Sequence, residues 1–167
     1  MAPAERHGIR ATFVLPSFAG GGAERVVLTL VRHLDRGRFS PEIVVLSGTG
    51  ALADAVPEDV PVTDLARPRL RRAWPRLGAA LRESDVVVPT ISHINLAVLM
   101  LRRRLRPGAK IVMRESNTPS ASLDTTKWPL LYRGLYRRYC RRADTILCPS
   151  RRTAAEFAKD MGVAPDR

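Results

Sequence analysis

Apolar positions along this chain follow two rhythms that take turns, one suited to strands and one to helices. Residues 10–15 form a short apolar run closed by Pro16, the pattern of a buried strand. After a turn over 17–22, residues 23–34 carry Val26, Val27, Leu30, Val31 and Leu34 on one helical face, and Gly37 follows as a stop signal. Residues 41–46 predict a second strand and 47–50 a loop. Residues 60–65, which contain Pro61, predict a weaker strand suited to a sheet edge. Leu70, Ala73, Trp74, Leu77 and Leu81 fall at helical spacing, and Pro75 puts the expected start of that helix near Trp74. Residues 85–89 read as an apolar strand of parallel-sheet type, 93–105 as a helix apolar on most sides, and 110–114 as another strand. Residues 127–142 are the most clearly patterned helix and 145–148 a last strand. Ser150 then caps a helix that Gly162 terminates.

Strand and helix in regular alternation require crossover connections, and so a parallel sheet with helices on both faces. The expected fold class is α/β, a single Rossmann-like domain over residues 1–167. The length of 167 residues suits one domain with a real core, and 45% hydrophobic with 26% charged residues excludes a disordered or fibrous chain. Residues 1–7 are polar and unlike a leader peptide, and the longest apolar candidate, 94–101, is shorter than the roughly 20 residues a membrane span needs. The expected location is cytoplasmic. Cys140 and Cys148 form no CxxC and have no histidine at metal-ligand spacing, so they read as ordinary core thiols and no metal is expected.

Charge changes this picture. Lys and Arg number 28 against 16 Asp and Glu, a formal net charge of +12, and lysine occurs only at Lys110, Lys127 and Lys159. Such an arginine excess implies an anionic neighbour: nucleotide phosphate, nucleic acid or an anionic lipid surface. No nucleic-acid recognition motif accompanies it, so no nucleic-acid partner is expected.

Candidate chemistry gathers where strands end. Gly20, Gly21 and Gly22 lie between the first strand and first helix, where glycines let the backbone approach an anion and the helix offers free N–H groups. No Gly-Lys-Ser/Thr follows, and Arg25 stands where a dinucleotide fingerprint needs its third glycine, so neither of those phosphate loops fits. A tight turn would also explain the glycines. Glu24 suits the helix dipole, or else a ligand hydroxyl. Three further strand ends are polar: Thr90, Ser92, His93 and Asn95 follow the strand over 85–89, Arg114, Glu115, Ser116, Asn117 and Thr118 close the strand over 110–114, and Pro149, Ser150 and Arg151 follow the strand over 145–148. Ligands of open parallel sheets bind outside such carboxyl ends. For His93 the alternative is a helix-capping residue. For Arg114 and Glu115 it is a mutual surface ion pair, worth little. In the helix over 127–142, Trp128, Leu131, Tyr132, Leu135, Tyr136 and Tyr139 share one face and Arg133, Arg137, Arg138, Arg141 and Arg142 the other. This suits a core-packed helix or one lying on an anionic membrane.

Several short stretches, in this order and spacing, resemble the N-terminal domain of family 4 glycosyltransferases. They are Phe13-Val14-Leu15-Pro16 with Gly20-Gly21-Gly22-Ala23-Glu24-Arg25, Asp85-Val86-Val87-Val88, Ser92-His93-Ile94-Asn95, Arg114-Glu115-Ser116-Asn117, and Ala143-Asp144-Thr145-Ile146-Leu147-Cys148-Pro149-Ser150. The resemblance implies one half of a GT-B fold and a retaining transferase that uses a UDP- or GDP-linked sugar without a required metal. It implies that Gly20, Gly21 and Gly22 face the donor diphosphate. Glu24, Asn95, Arg114, Glu115 and Asn117 would line the acceptor side, with His93 as the catalytic candidate. It also implies a saccharide or lipid-linked acceptor and peripheral contact with the cytoplasmic membrane face. The family's second domain carries a Glu-x7-Glu pair, and no two of Glu5, Glu24, Glu42, Glu58, Glu83, Glu115 and Glu156 have that separation. The donor-binding domain is therefore expected on a partner chain or lost, with this chain inactive alone. The alternative is a non-catalytic Rossmann-like module that binds a nucleotide or a partner protein.

Overall fold

The computed structural model describes residues 8–116 and 129–164. Along them the order is β1 (Ile9–Leu15), α1 (Gly22–His33), β2 (Phe39–Val45), β3 (Val62–Asp64), α2 (Leu70–Ala80), β4 (Val86–Pro89), α3 (Ser92–Met100), β5 (Lys110–Arg114), α4 (Pro129–Cys140), β6 (Thr145–Leu147) and α5 (Arg151–Met161). Every strand pairing is parallel, and the spatial order is β3-β2-β1-β4-β5-β6. From β1 the chain first builds outward to β3, then returns to lay β4 on the other side of β1. That reversal between β1 and β4 is the topological switch point, beside which open parallel sheets hold their ligands.

Side chains alternate across the sheet and divide the core in two. Phe13, Leu15, Ile43, Val45 and Val88 pack beneath Val27, Leu28 and Val31 of α1. On the other face Val14, Val44, Val87, Ile111 and Met113 meet Leu77 of α2, Ile94 and Leu99 of α3, Tyr136 of α4 and Phe157 of α5. The expected α/β class with helices on both faces is the observed one. Ser150 caps α5, its hydroxyl accepting from the Thr153 N–H at 3.1 Å, and Gly162 closes it in the left-handed conformation. β3 is a short, exposed edge strand directly after Pro61.

Five expectations need correction. On α1 the buried face is Val27, Leu28 and Val31, while Val26 and Leu30 are exposed. The second helix starts at Leu70, not near Trp74, and holds Pro75 inside it. A proline there removes only the bond to Arg71, one turn from the start, while Ala73, Leu77 and Leu81 become fully buried. The second strand starts at Phe39 and includes Pro41. The Ile43 N–H points to the β3 side, where it donates to Pro61 O at 2.9 Å, so the donor that Pro41 lacks would face a position before β3 begins. The third helix stops at Met100, and three of the arginines that follow, Arg102–Arg104, form a short 3₁₀ turn. Finally, Leu131 is exposed rather than packed: α4 buries Tyr136 and Cys140 and leaves Leu130 and Leu131 at 85% and 63% exposure. Lys127 and Trp128 lie outside the described residues.

Candidate functional site

The carboxyl ends of β1, β4 and β5 enclose a cavity of about 560 Å³ at the switch point. Its lining is Gly21, Gly22, Ala23 and Glu24 from the start of α1, Ile91 and Ser92 between β4 and α3, and Arg114 and Ser116 after β5.

The three glycines are there for different reasons. Gly20 has φ +106°, a conformation that side chains disfavour. A β-carbon on Gly21 would stand 2.5 Å from Glu24 Oε2, and one on Gly22 would meet nothing within 4 Å. A tight turn thus accounts for Gly20 only. Gly21 makes room for a carboxylate, and Gly22 leaves the head of α1 open to the cavity. Arg25 folds back, its Nε donating to Gly20 O at 3.3 Å.

Glu24 is the exceptional group. It is only 6% exposed, lines the cavity, and has no hydrogen bond or ion pair among the described residues. A carboxylate so placed keeps its acceptor capacity for whatever enters. Across the cavity, the Arg114 guanidinium donates from Nη1 to Ser116 Oγ at 2.9 Å and forms no ion pair with Glu115, so the mutual surface pair is not what the structure holds. Partial burial lowers the Arg114 pKa, and the nearby Glu115 charge opposes that shift.

Beneath the cavity floor lies a buried polar cluster. Glu115, 1% exposed, accepts from the Tyr136 phenol and, through the same Oε1, from Asn95 Nδ2 at 2.5 Å. Its Oε2 receives a long contact of 3.5 Å from Ser92 Oγ. Asn95 Nδ2 also reaches Arg114 O at 3.0 Å and Tyr136 Oη at 3.2 Å. Burial raises the Glu115 pKa, against the lowering effect of the Tyr136, Asn95 and Ser92 hydrogen bonds. Burial, then the Glu115 charge, pushes the Tyr136 phenol well above its usual value, and Tyr132 rises for the same two causes. Asn95 Oδ1 and Tyr132 Oη are buried with no partner among the described residues, an arrangement that costs about 1–3 kcal/mol for each such group.

Of the candidate residues, Gly21, Gly22, Glu24 and Arg114 come together on the cavity wall. Asn95 and Glu115 lie under it, joined to each other rather than open to a ligand. His93 is the second residue of α3, exposed and outside the cavity lining, and α3 has no side-chain cap. Protein crowding around its imidazole lowers its pKa through lost hydration. Asn117 lies outside the described residues. Sequence reasoning missed Ile91 and Tyr136. Ile91 has φ +72° and ψ 134°, an outlier for a β-branched residue, and nothing in its identity announces it. Tyr136 looked like core, and a tyrosine among leucines needing a buried partner for its hydroxyl was the available signal. No group of three His, Cys, Asp or Glu able to hold a metal occurs among the described residues.

The wall therefore offers one cation, one unpartnered carboxylate, hydroxyls, and the free N–H groups at the head of α1. This is a Rossmann-like α/β domain whose crevice suits a ligand both anionic and hydroxylated. Residues 20–167 match the family described as Glycosyltransferase Family 4. The chain belongs to that family and is a glycosyltransferase-family module. No match is found among curated proteins.

Proposed function

We propose that this domain is the acceptor-side half of a retaining, GT-B type glycosyltransferase acting in polysaccharide or glycoconjugate synthesis. The observation that carries this reading is the unpartnered, buried Glu24 carboxylate facing Arg114 across a cavity at the head of α1. In the proposed reaction the bond from the sugar's anomeric carbon to the diphosphate oxygen breaks and a bond to the acceptor hydroxyl forms on the same face. The hydroxyl proton leaves with the diphosphate. The N–H groups of Gly22 and Ala23, together with Arg114, meet the developing diphosphate charge, the kind of preorganised stabilisation that contributes most in a water-poor site. Glu24 accepts from a sugar hydroxyl. His93 stands outside the cavity lining, so its proposed role is confined to a part of the acceptor that extends beyond the cavity, where the lowered pKa favours a neutral imidazole able to accept a hydrogen bond.

The donor is a UDP- or GDP-linked sugar, and no metal or other cofactor takes part. The domain completing the enzyme is supplied by a further segment or chain, because no Glu-x7-Glu pair occurs in these 167 residues. Calorimetric titration with UDP, GDP and NAD tests the reading: UDP or GDP binds through its diphosphate, the one part of the donor assigned to this half, and Arg114→Ala weakens binding about tenfold, a loss of roughly 1.4 kcal/mol. NAD binding in their place overturns it in favour of a non-catalytic nucleotide-binding module. Sugar transfer is expected only once a donor-binding domain is added, and turnover by the isolated chain would refute the division into halves.

The acceptor is proposed to be a saccharide or lipid-linked hydroxyl, with the domain working at the cytoplasmic membrane face. Support comes from α4, where exposed Leu130 and Leu131 adjoin Arg133 and Arg137, a mixture suited to anionic headgroups. No described helix is long and apolar enough to cross a membrane. Co-flotation with anionic but not neutral vesicles, lost in Leu130→Ser/Leu131→Ser, is the expected result; equal partitioning at low salt rules the surface out.

A further inference from the structure

The crevice wall between β4 and α3 is held in a conformation its sequence does not favour. Ile91 has φ +72° and ψ 134°. A β-branched residue there is strained by about 1–3 kcal/mol, and such a conformation persists only where the surroundings over-determine it.

The surroundings are specific. On the β4 side Thr90 is fully buried, and both its N–H and its hydroxyl donate to Val14 O at 3.3 Å. It is also bridged to Arg114. On the α3 side the Asn95 N–H donates to Ile91 O at 2.9 Å, the first bond of the helix. The Asn95 side chain is in turn tied to Glu115 and Tyr136. Tyr136 belongs to α4, so a helix outside the cavity fixes the carbonyl of a residue lining it.

We propose that Ile91 is a positioning residue kept in its strained backbone by a brace of Asn95, Glu115 and Tyr136, and that the brace holds the head of α3 in the geometry the crevice needs. If the phenol is removed, the brace loosens, Ile91 relaxes toward negative φ, and its carbonyl turns away from Asn95. Ser92, the next residue on the cavity wall, moves with it. Glycine at position 91 carries no such strain, so the wall should then hold its shape without help from α4.

This gives a test with opposite outcomes for a brace and for ordinary packing. Hydrogen exchange at the Asn95 amide is measured in the full chain, in Tyr136→Phe, in Ile91→Gly and in the double variant, with circular dichroism to verify folding. Phenylalanine fills the same volume, so the fold should be kept. Exchange at Asn95 is expected to rise at least tenfold in Tyr136→Phe, to stay within threefold of the parent in Ile91→Gly, and to return to within threefold in the double variant. A double variant that exchanges as fast as Tyr136→Phe, or faster, overturns the proposal, because packing losses add. Unchanged exchange in Tyr136→Phe also overturns it. If Tyr136→Phe does not fold, Glu115→Leu, which removes the oxygen that accepts from both Asn95 and Tyr136, takes its place with the same expectations. UDP and GDP affinity, measured on the same four proteins, should follow the exchange pattern. Only this second measurement rests on the glycosyltransferase reading: rescue of exchange with no nucleotide bound by any of the four would keep the brace and refute that reading.

Discussion

At Gly21 the space a β-carbon would occupy is taken by the carboxylate of Glu24, and at Gly50 by backbone. A β-carbon on Gly50 would lie 2.1 Å from the Phe18 carbonyl group, and φ there is +140°. The two sites should respond differently. Gly21→Ala displaces a side chain at the head of α1, so UDP or GDP affinity should fall about tenfold with Tm little changed. Gly50→Ala drives backbone against backbone and should lose on the order of 3 kcal/mol or more, read as a collapse in the urea midpoint. Gly22→Ala meets open space and should leave Tm unaltered.

Glu115 makes a prediction about pH at the same scale. Its pKa is raised above the ordinary 4.5 by burial, so the folded state binds the proton more readily than the unfolded state. That contribution is fully present below the unfolded pKa and is lost as pH rises through the folded one. Relative to Glu115→Gln, the parent protein should therefore lose stability as pH climbs from about 4.5. Urea midpoints from pH 4 to 8 measure the difference, and a parent stability that stays level with or gains on that of Glu115→Gln as pH rises would contradict it.

Elements show where local pattern was sufficient and where it was overruled. α5 was legible at both ends because its capping chemistry is local: Ser150 before, Gly162 after. Ser150→Ala should cost about 1 kcal/mol of stability, seen in thermal melts. α2 was misjudged at its start because the Pro75 signal is local whereas the burial of Ala73 and Leu77 is tertiary. Pro75→Ala restores a helical N–H opposite Arg71 and should add on the order of 1–2 kcal/mol after the entropy released to the unfolded chain is subtracted. An unchanged Tm would mean that Arg71 O already has another partner. α4 was the most clearly patterned segment, yet Leu131 turned outward, since the helix seats on Tyr136 and Cys140 and no single side chain reports that choice.

For the molecule as a whole, parallel alternation was enough to establish the class, and the polar strand ends were enough to locate the crevice. The division of its residues into wall and floor was not legible. Glu115 and Arg114 are neighbours in sequence, but alternation along the strand end sends one under the cavity and the other into it. Ile91 was illegible for a different reason, since the brace proposed for it joins Asn95 of α3 to Tyr136 of α4, two residues 41 positions apart in sequence.

The sheet order also sets a schedule for synthesis. β1 lies between β2 and β4, and the contact that seats it beside β4, from the Arg10 N–H to Asp85, spans 75 residues. At roughly 5–20 residues per second of translation, the second flank of β1 arrives about 4–15 s after the first residues of the strand. Val14 and Leu15, fully buried in the finished domain, wait that long for half of their cover. The crevice waits longer still, because its last wall carries Arg114 and Ser116 and its floor is pinned by Tyr136. Whatever this domain binds, a nascent chain interrupted before residue 136 has emerged carries the glycine loop without a formed site.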